Sequence, residues 1–90
     1  GQVYIYPNPL KSIYRQKIQL NVMTSRDAEL ELSIFFFFVT LVYRQKGYAK
    51  AYLKNLDIFD IPADTLCSGV YIAIIKSSTS SKRLKFAIEK

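Results

Sequence analysis

The chain reads as all-β, and three observations predict it. Residues Lys17 to Val22, Ala28 to Phe36 and Lys82 to Glu89 alternate apolar and polar side chains, the mark of strands with one buried face. Residues 70–75 (Val-Tyr-Ile-Ala-Ile-Ile) are β-branched, aromatic or small, which suits a pleated surface better than a helix. Turn residues separate these runs at a spacing of roughly 10–14 residues, which gives six or seven strands. The expected architecture is an immunoglobulin-like antiparallel β-sandwich of about seven strands, with residues 1–90 as a single domain. The Cys–Trp–Cys core of antibody domains is missing, because the chain holds one Cys and no Trp.

Taken in order, Val3 to Tyr6 is a short extended piece that ends at Tyr6-Pro7-Asn8-Pro9. The prolines remove backbone donors and fix φ, so the chain leaves the sheet there. Leu10 to Gln16 is expected as a loop. In Lys17 to Val22, Ile18, Leu20 and Val22 face inward. Thr24-Ser25-Arg26-Asp27 is a polar turn. In the next strand Ala28, Leu30, Leu32, Ile34 and Phe36 face inward, while Glu29, Glu31 and Ser33 face outward. There the acids can meet lysines of a neighbouring strand.

Phe35 to Phe38 breaks the alternation, because consecutive phenylalanines must occupy both faces. Two accounts stand side by side: a corner whose rings all reach the core, or an exposed aromatic patch that packs on a neighbouring domain or subunit. Leu41 to Gln45 reads as a strand ending at Lys46-Gly47. Tyr48 to Asp60 carries mixed signals, with strand or extended chain favoured over helix and Ile58 to Ile61 as a short strand before Pro62. Pro62 to Ser68 is a loop with a helical turn at Ala63 to Leu66. Gly69 supplies a positive φ or a close backbone approach. The following strand is apolar on both faces (Val70, Ile72, Ile74 and Tyr71, Ala73, Ile75), which places it mid-sheet with cover on each side. Ser77 to Ser81 turns into the last strand, where Leu84, Phe86 and Ile88 face inward, and the last two strands form a hairpin.

Composition narrows the chemistry. There is no histidine, which removes the commonest general base and metal ligand. Cys67 is the single cysteine, so no intrachain disulfide forms and the compartment stays open. It has no nearby base and reads as a small, semi-buried residue. Asp57, Asp60 and Asp64 lie close together but lack calcium-loop spacing, and read as solvated turn acids. Three glycines make no phosphate-binding loop. No enzymatic activity, cofactor or metal is expected. The net charge is +6, but the basic residues are scattered and the tyrosines sit on apolar strands, so no nucleic acid is expected as partner. The apolar run Ile34 to Tyr43 spans ten residues where a membrane helix needs about 20; it reads as a buried strand pair, and no transmembrane segment is expected. The opening Gly1 to Tyr6 lacks the features of a signal peptide and reads as the start of a domain.

Val3-Tyr4-Ile5-Tyr6-Pro7-Asn8-Pro9, then Leu66-Cys67-Ser68-Gly69-Val70-Tyr71-Ile72, then Lys85-Phe86-Ala87-Ile88-Glu89-Lys90 follow one another along the chain. In this order they resemble the C-terminal sorting domain of proteins exported by the type IX secretion system. The chain is also similar to the related immunoglobulin-like module of flagellar hook-capping proteins. The resemblance spans about the whole chain. It implies a β-sandwich at the C-terminus of a larger secreted or cell-surface bacterial protein, often a hydrolase or adhesin. The implied partner is the outer-membrane translocon that reads the domain, or an upstream domain of the same protein. The residues it singles out for sorting and recognition are Pro7, Asn8, Pro9, Ser68, Gly69, Val70, Tyr71, Lys82, Arg83, Lys85 and Lys90. An accessory interaction module of a secreted enzyme or appendage protein, making interdomain, carbohydrate or assembly contacts, is the alternative reading. One departure stands out. Between its middle strands the family has an aromatic, an aspartate or asparagine, and then Gly-Arg or Gly-Lys; this chain has Ile34-Phe-Phe-Phe-Phe-Val-Thr-Leu41 and no turn glycine.

Overall fold

In the computed structural model the alternating runs become paired strands. The structure describes residues 2–6, 10–11, 19–53, 58–59, 61 and 63–89. Among them are seven strands: β1 (Gln2–Tyr6), β2 (Leu10–Lys11), β3 (Gln19–Met23), β4 (Ala28–Phe36), β5 (Thr40–Ala49), β6 (Gly69–Lys76) and β7 (Ser81–Glu89). The helical turn expected before the central strand is a 3-10 turn, Ala63–Thr65. β1 and β3 form an antiparallel pair, and the other five make a sheet in the order β2-β7-β6-β4-β5. The protein is all-β, and among the described residues every strand pairing but β2–β7 is antiparallel.

The period-two pattern puts one face of each strand into a shared core. Leu20 and Val22 of β3 join Leu30, Leu32 and Ile34 of β4, Tyr71, Ala73 and Ile75 of β6, and Phe86 and Ile88 of β7. The long connection between β5 and β6 adds Phe59, Ile61 and Leu66 to the same cluster. Each fully buried Leu or Ile side chain contributes roughly 1.5–3 kcal/mol. On the opposite face of the large sheet, Glu31 stands in register with Lys46 on one side and Lys76 on the other. Its carboxylate lies 3.9 Å from Arg44 Nε, and the same Nε donates to the buried Ser33 hydroxyl at 3.2 Å.

Five expectations are corrected. Leu10 and Lys11 are not loop but a short parallel partner of β7; a pairing fixed by so distant a strand leaves no local pattern. The rest of that loop lies outside the described residues. β5 does not end at Gly47 but runs on to Ala49. A Cβ at Gly47 would sit 3.0 Å from both the Ile58 carbonyl oxygen and Phe59 Cε1, so this glycine admits the crossing connection and does not stop the strand. Ile58 and Phe59 are not in a strand, and Ile61 makes an isolated bridge. β6 is central, as its composition predicts, but only Tyr71, Ala73 and Ile75 are buried, while Val70, Ile72 and Ile74 are half-buried. Finally, the run from Ile34 to Tyr43 is a strand pair, but its middle, Phe37 to Val42, is exposed.

The β4–β5 connection resolves the phenylalanine run. Val39 N–H donates to the Phe36 carbonyl at 3.2 Å, closing a four-residue turn. Its central residues, Phe37 and Phe38, have φ of 47° and 68°. Paired positive φ values are the backbone of a type I′ hairpin turn, where Asn-Gly is favoured because a Cβ is strained there. Phe37 N–H also reaches the Val70 carbonyl at 3.0 Å, tying the turn to β6. The connection is therefore a tight turn made without the family's glycine, with phenylalanine in both strained positions.

Two outcomes test this fold. Gly69 has φ +154°, and a Cβ there would meet Phe36 Cε1 at 2.6 Å; Gly69→Ala is expected to cost roughly 2–3 kcal/mol in urea unfolding. The double change F37N/F38G relieves strain of about 1–2 kcal/mol per residue. It also loses the edge-on contact of the Phe37 ring with Phe36 at 4.8 Å. A net gain of about 1–2 kcal/mol is expected, and an unchanged or lowered urea midpoint would contradict the strained-turn account.

Candidate functional site

The hairpin of β6 and β7 decides where the singled-out residues lie. Its register sets Gly69 opposite Ile88, Tyr71 opposite Phe86, Ile72 opposite Lys85, Ile74 opposite Arg83 and Ile75 opposite Lys82. From its other side, β7 pairs with β2, and there Leu10 stands opposite Ile88. The backbone leaving Pro9 and the backbone entering β6 at Gly69 thus flank the same residue near the end of β7. Sequence reading had the three motifs in order but not this meeting point, because the β2–β7 pairing is non-local and parallel. Pro7, Asn8, Pro9 and Lys90 lie outside the described residues.

The basic residues of β7 do not form one cluster. Partners in register share a face, so Arg83 and Lys85 emerge with Ile74 and Ile72 on the sheet's outer face. Lys82 follows Ile75 to the other face, where it lines an open cleft of about 460 Å³ with Thr24, Ser25, Ser77, Thr79 and Ser80. Lys85, three residues along from the level of Gly69, is about 10 Å from it along the strand. Lys85 Nζ lies 5.6 Å from the centroid of the Phe38 ring, a cation–π contact from the turn to the last strand. Ser68 is exposed and Gly69 and Val70 are half-buried.

Tyr71 is different. It is 1% exposed, its ring stacked on Phe86 (5.4 Å, 18°) and tilted against Phe36 (5.3 Å, 56°). Its hydroxyl donates to the Cys67 carbonyl at 2.5 Å, and Cys67 Sγ lies 3.6 Å away. Cys67 itself is exposed, not semi-buried. Burial, followed by the contact with Cys67, pushes the Tyr71 phenol well above its usual range. Tyr71 presents no surface to a partner; it acts on Ser68 and Gly69 by fixing the chain just before them. Of the three acids read as solvated turn residues, Asp64 is exposed in the 3-10 turn, while Asp57 and Asp60 lie outside the described residues.

The fold is thus a β scaffold whose loop before Gly69 is tied to Tyr71, with Arg83 and Lys85 exposed on β7. Residues 4–89 match the secretion system C-terminal sorting domain, and the chain belongs to this family, the sorting domains of type IX secretion. No curated protein and no solved structure matches the chain. Membership implies a C-terminal sorting signal recognised by the secretion system, in a bacterial protein that is secreted or displayed at the cell surface. The family is one of sorting signals, not of catalysts. Among the described residues no helix is long and apolar enough to cross a membrane.

The Tyr71 hydroxyl gives a measurable pH signature. A phenol that ionises less readily folded than unfolded contributes its stability fully below the ordinary value of 10.0. That contribution falls away as pH rises from there through the raised folded value. Resistance to urea is expected to fall above about pH 10, and Tyr71→Phe to flatten that slope while costing about 1 kcal/mol at neutral pH.

Proposed function

We propose that the chain is the C-terminal domain of a larger secreted protein, read by the outer-membrane translocon and retaining its cargo at the cell surface. The chain itself has no catalytic role; activity belongs to the upstream domain, which is its second partner. Its scaffold is an immunoglobulin-like β-sandwich. Support for that scaffold comes from the shared core of the two sheets and from the Tyr71-to-Cys67 hydrogen bond, which matches the tyrosine corner of such folds.

The observation that carries the placement of the reading surface is the register at Ile88, where Leu10 and Gly69 approach from either side. The reading surface joins the segment next to Pro7, Asn8 and Pro9, the Ser68-Gly69-Val70 entrance to β6, and the exposed Arg83 and Lys85; Lys82, on the other face of the sheet, and Lys90 are further cations of the signal outside that surface. For Pro7, Asn8, Pro9 and Lys90 the support is the family resemblance alone.

Deleting β7 cannot test this, since it would remove Phe86 and Ile88 from the core. The test is a fusion of residues 1–90 to a periplasmic reporter in a bacterium that has the type IX translocon. The intact domain is expected to deliver the reporter outside the cell. R83Q/K85Q should cut export roughly tenfold, the loss of about 1.4 kcal/mol of recognition, with an unchanged urea midpoint. A reporter that stays in the periplasm with the intact domain sinks the proposal.

A further inference from the structure

The hairpin tip between β4 and β5 holds what the sorting reading leaves unused. Phe37, Phe38, Val39, Leu41 and Val42 are 57, 46, 79, 42 and 37% exposed, a contiguous apolar patch on and beside the turn. We propose that this tip, with Lys85, Arg83 and Arg44 behind it, is a docking surface for an anionic lipid surface.

Three observations point to a lipid. The first is shape: the rings of Phe37 and Phe38 and the Val39 side chain sit on the connection itself, past the last paired residues Phe36 and Thr40. A turn of exposed side chains without polar atoms suits insertion into a fluid apolar phase, as amphipathic surface binders do. The second is charge. Lys85 Nζ is held over the Phe38 ring, Arg83 lies two residues back on the same face, and Arg44 stands across the sheet, opposite Ser33. With the rings in the acyl layer these cations fall at headgroup depth, where each gains from anionic phosphate. Of the acids, Glu29 lies toward the other end of this face, Glu31 partly offsets Arg44 at 3.9 Å from its Nε, and Glu89 stands at the end of β7, so the charge rests mainly on Arg83 and Lys85. The third is strain. Both phenylalanines occupy positive-φ positions that Asn-Gly would fill without cost, and strain of this kind persists where a side chain is needed for function. This docking surface shares Arg83 and Lys85 with the proposed reading surface and adjoins it, since Phe37 N–H donates to the Val70 carbonyl; F37N/F38G, which changes residues outside the reading surface, is the variant that tells the two apart.

The experiment is co-sedimentation of the chain with vesicles of phosphatidylcholine alone and of equal parts phosphatidylglycerol and phosphatidylcholine. Binding is expected to the anionic vesicles, weakened by salt, with little to the neutral ones. F37N/F38G keeps or strengthens the fold, so unfolding cannot explain its result; it should lower anionic-vesicle binding roughly tenfold or more. R83Q and K85Q should each lower it roughly fivefold. Equal binding to both vesicle types, or full binding by F37N/F38G, overturns the proposal. So does a chain that ignores both vesicles; if F37N/F38G then still lowers reporter export, the tip is a protein contact instead.

Discussion

The Tyr71 hydroxyl bonded to the Cys67 carbonyl is the constraint on which much of this structure leans. It sits at the one place where the long connection after β5 must turn into the middle of the large sheet. The phenol lets a large ring fill the core against Phe36 and Phe86 while its polar end satisfies a backbone acceptor in the loop before Gly69. Buried polar groups need such a partner. Because the ring cannot move without breaking the stack, Cys67, Ser68 and Gly69 are held at a fixed height beside Ile88. The same constraint makes Gly69 irreplaceable: the Phe36 ring that packs on Tyr71 occupies the space a Cβ would need.

The β4–β5 turn beside it, bonded through Phe37 N–H to the Val70 carbonyl, behaves oppositely. At the β4–β5 tip, local preference and global fold disagree, since the backbone demands small or polar residues and receives two phenylalanines. Phe36 is shared between these two neighbouring places, edge-on to Phe37 and tilted against Tyr71. Well-folded sequences agree across levels, and an isolated disagreement marks a site kept for another reason than stability. The exposed tip is where that disagreement falls.

Much of this was legible in the sequence because half-buried strands advertise themselves. The alternations at Leu20 and Val22, at Leu30 to Ile34, and at Leu84 to Ile88 each report one wet and one dry face. What could not be read depends on partners far along the chain. Gly47 resembles a strand stop, because glycine commonly punctuates strands; its reason is the crossing of Phe59, which no local window contains. Leu10 and Lys11 are too few to show a period. For the candidate site, the motifs around Asn8, Gly69 and Lys85 were readable as types and as an order. The approach of Leu10 and Gly69 to Ile88 from either side, and the split of Lys82 from Arg83 and Lys85 across the sheet, required the register. Tyr71 belonged to the motif on sequence grounds but serves from inside the core.

The strand order also has a consequence for timing. β7 comes after the other described strands, yet it lies between β2 and β6 and closes the sheet from within. A chain still emerging without it leaves β6 with an open edge and Tyr71 without its stacking partner. The sheet therefore cannot close progressively as the chain appears; its closure waits for the last-made strand, and pairings of such long sequence separation are slow to form. A receptor that reads the folded arrangement around Ile88 would, in effect, certify that translation had run through to the end of this segment.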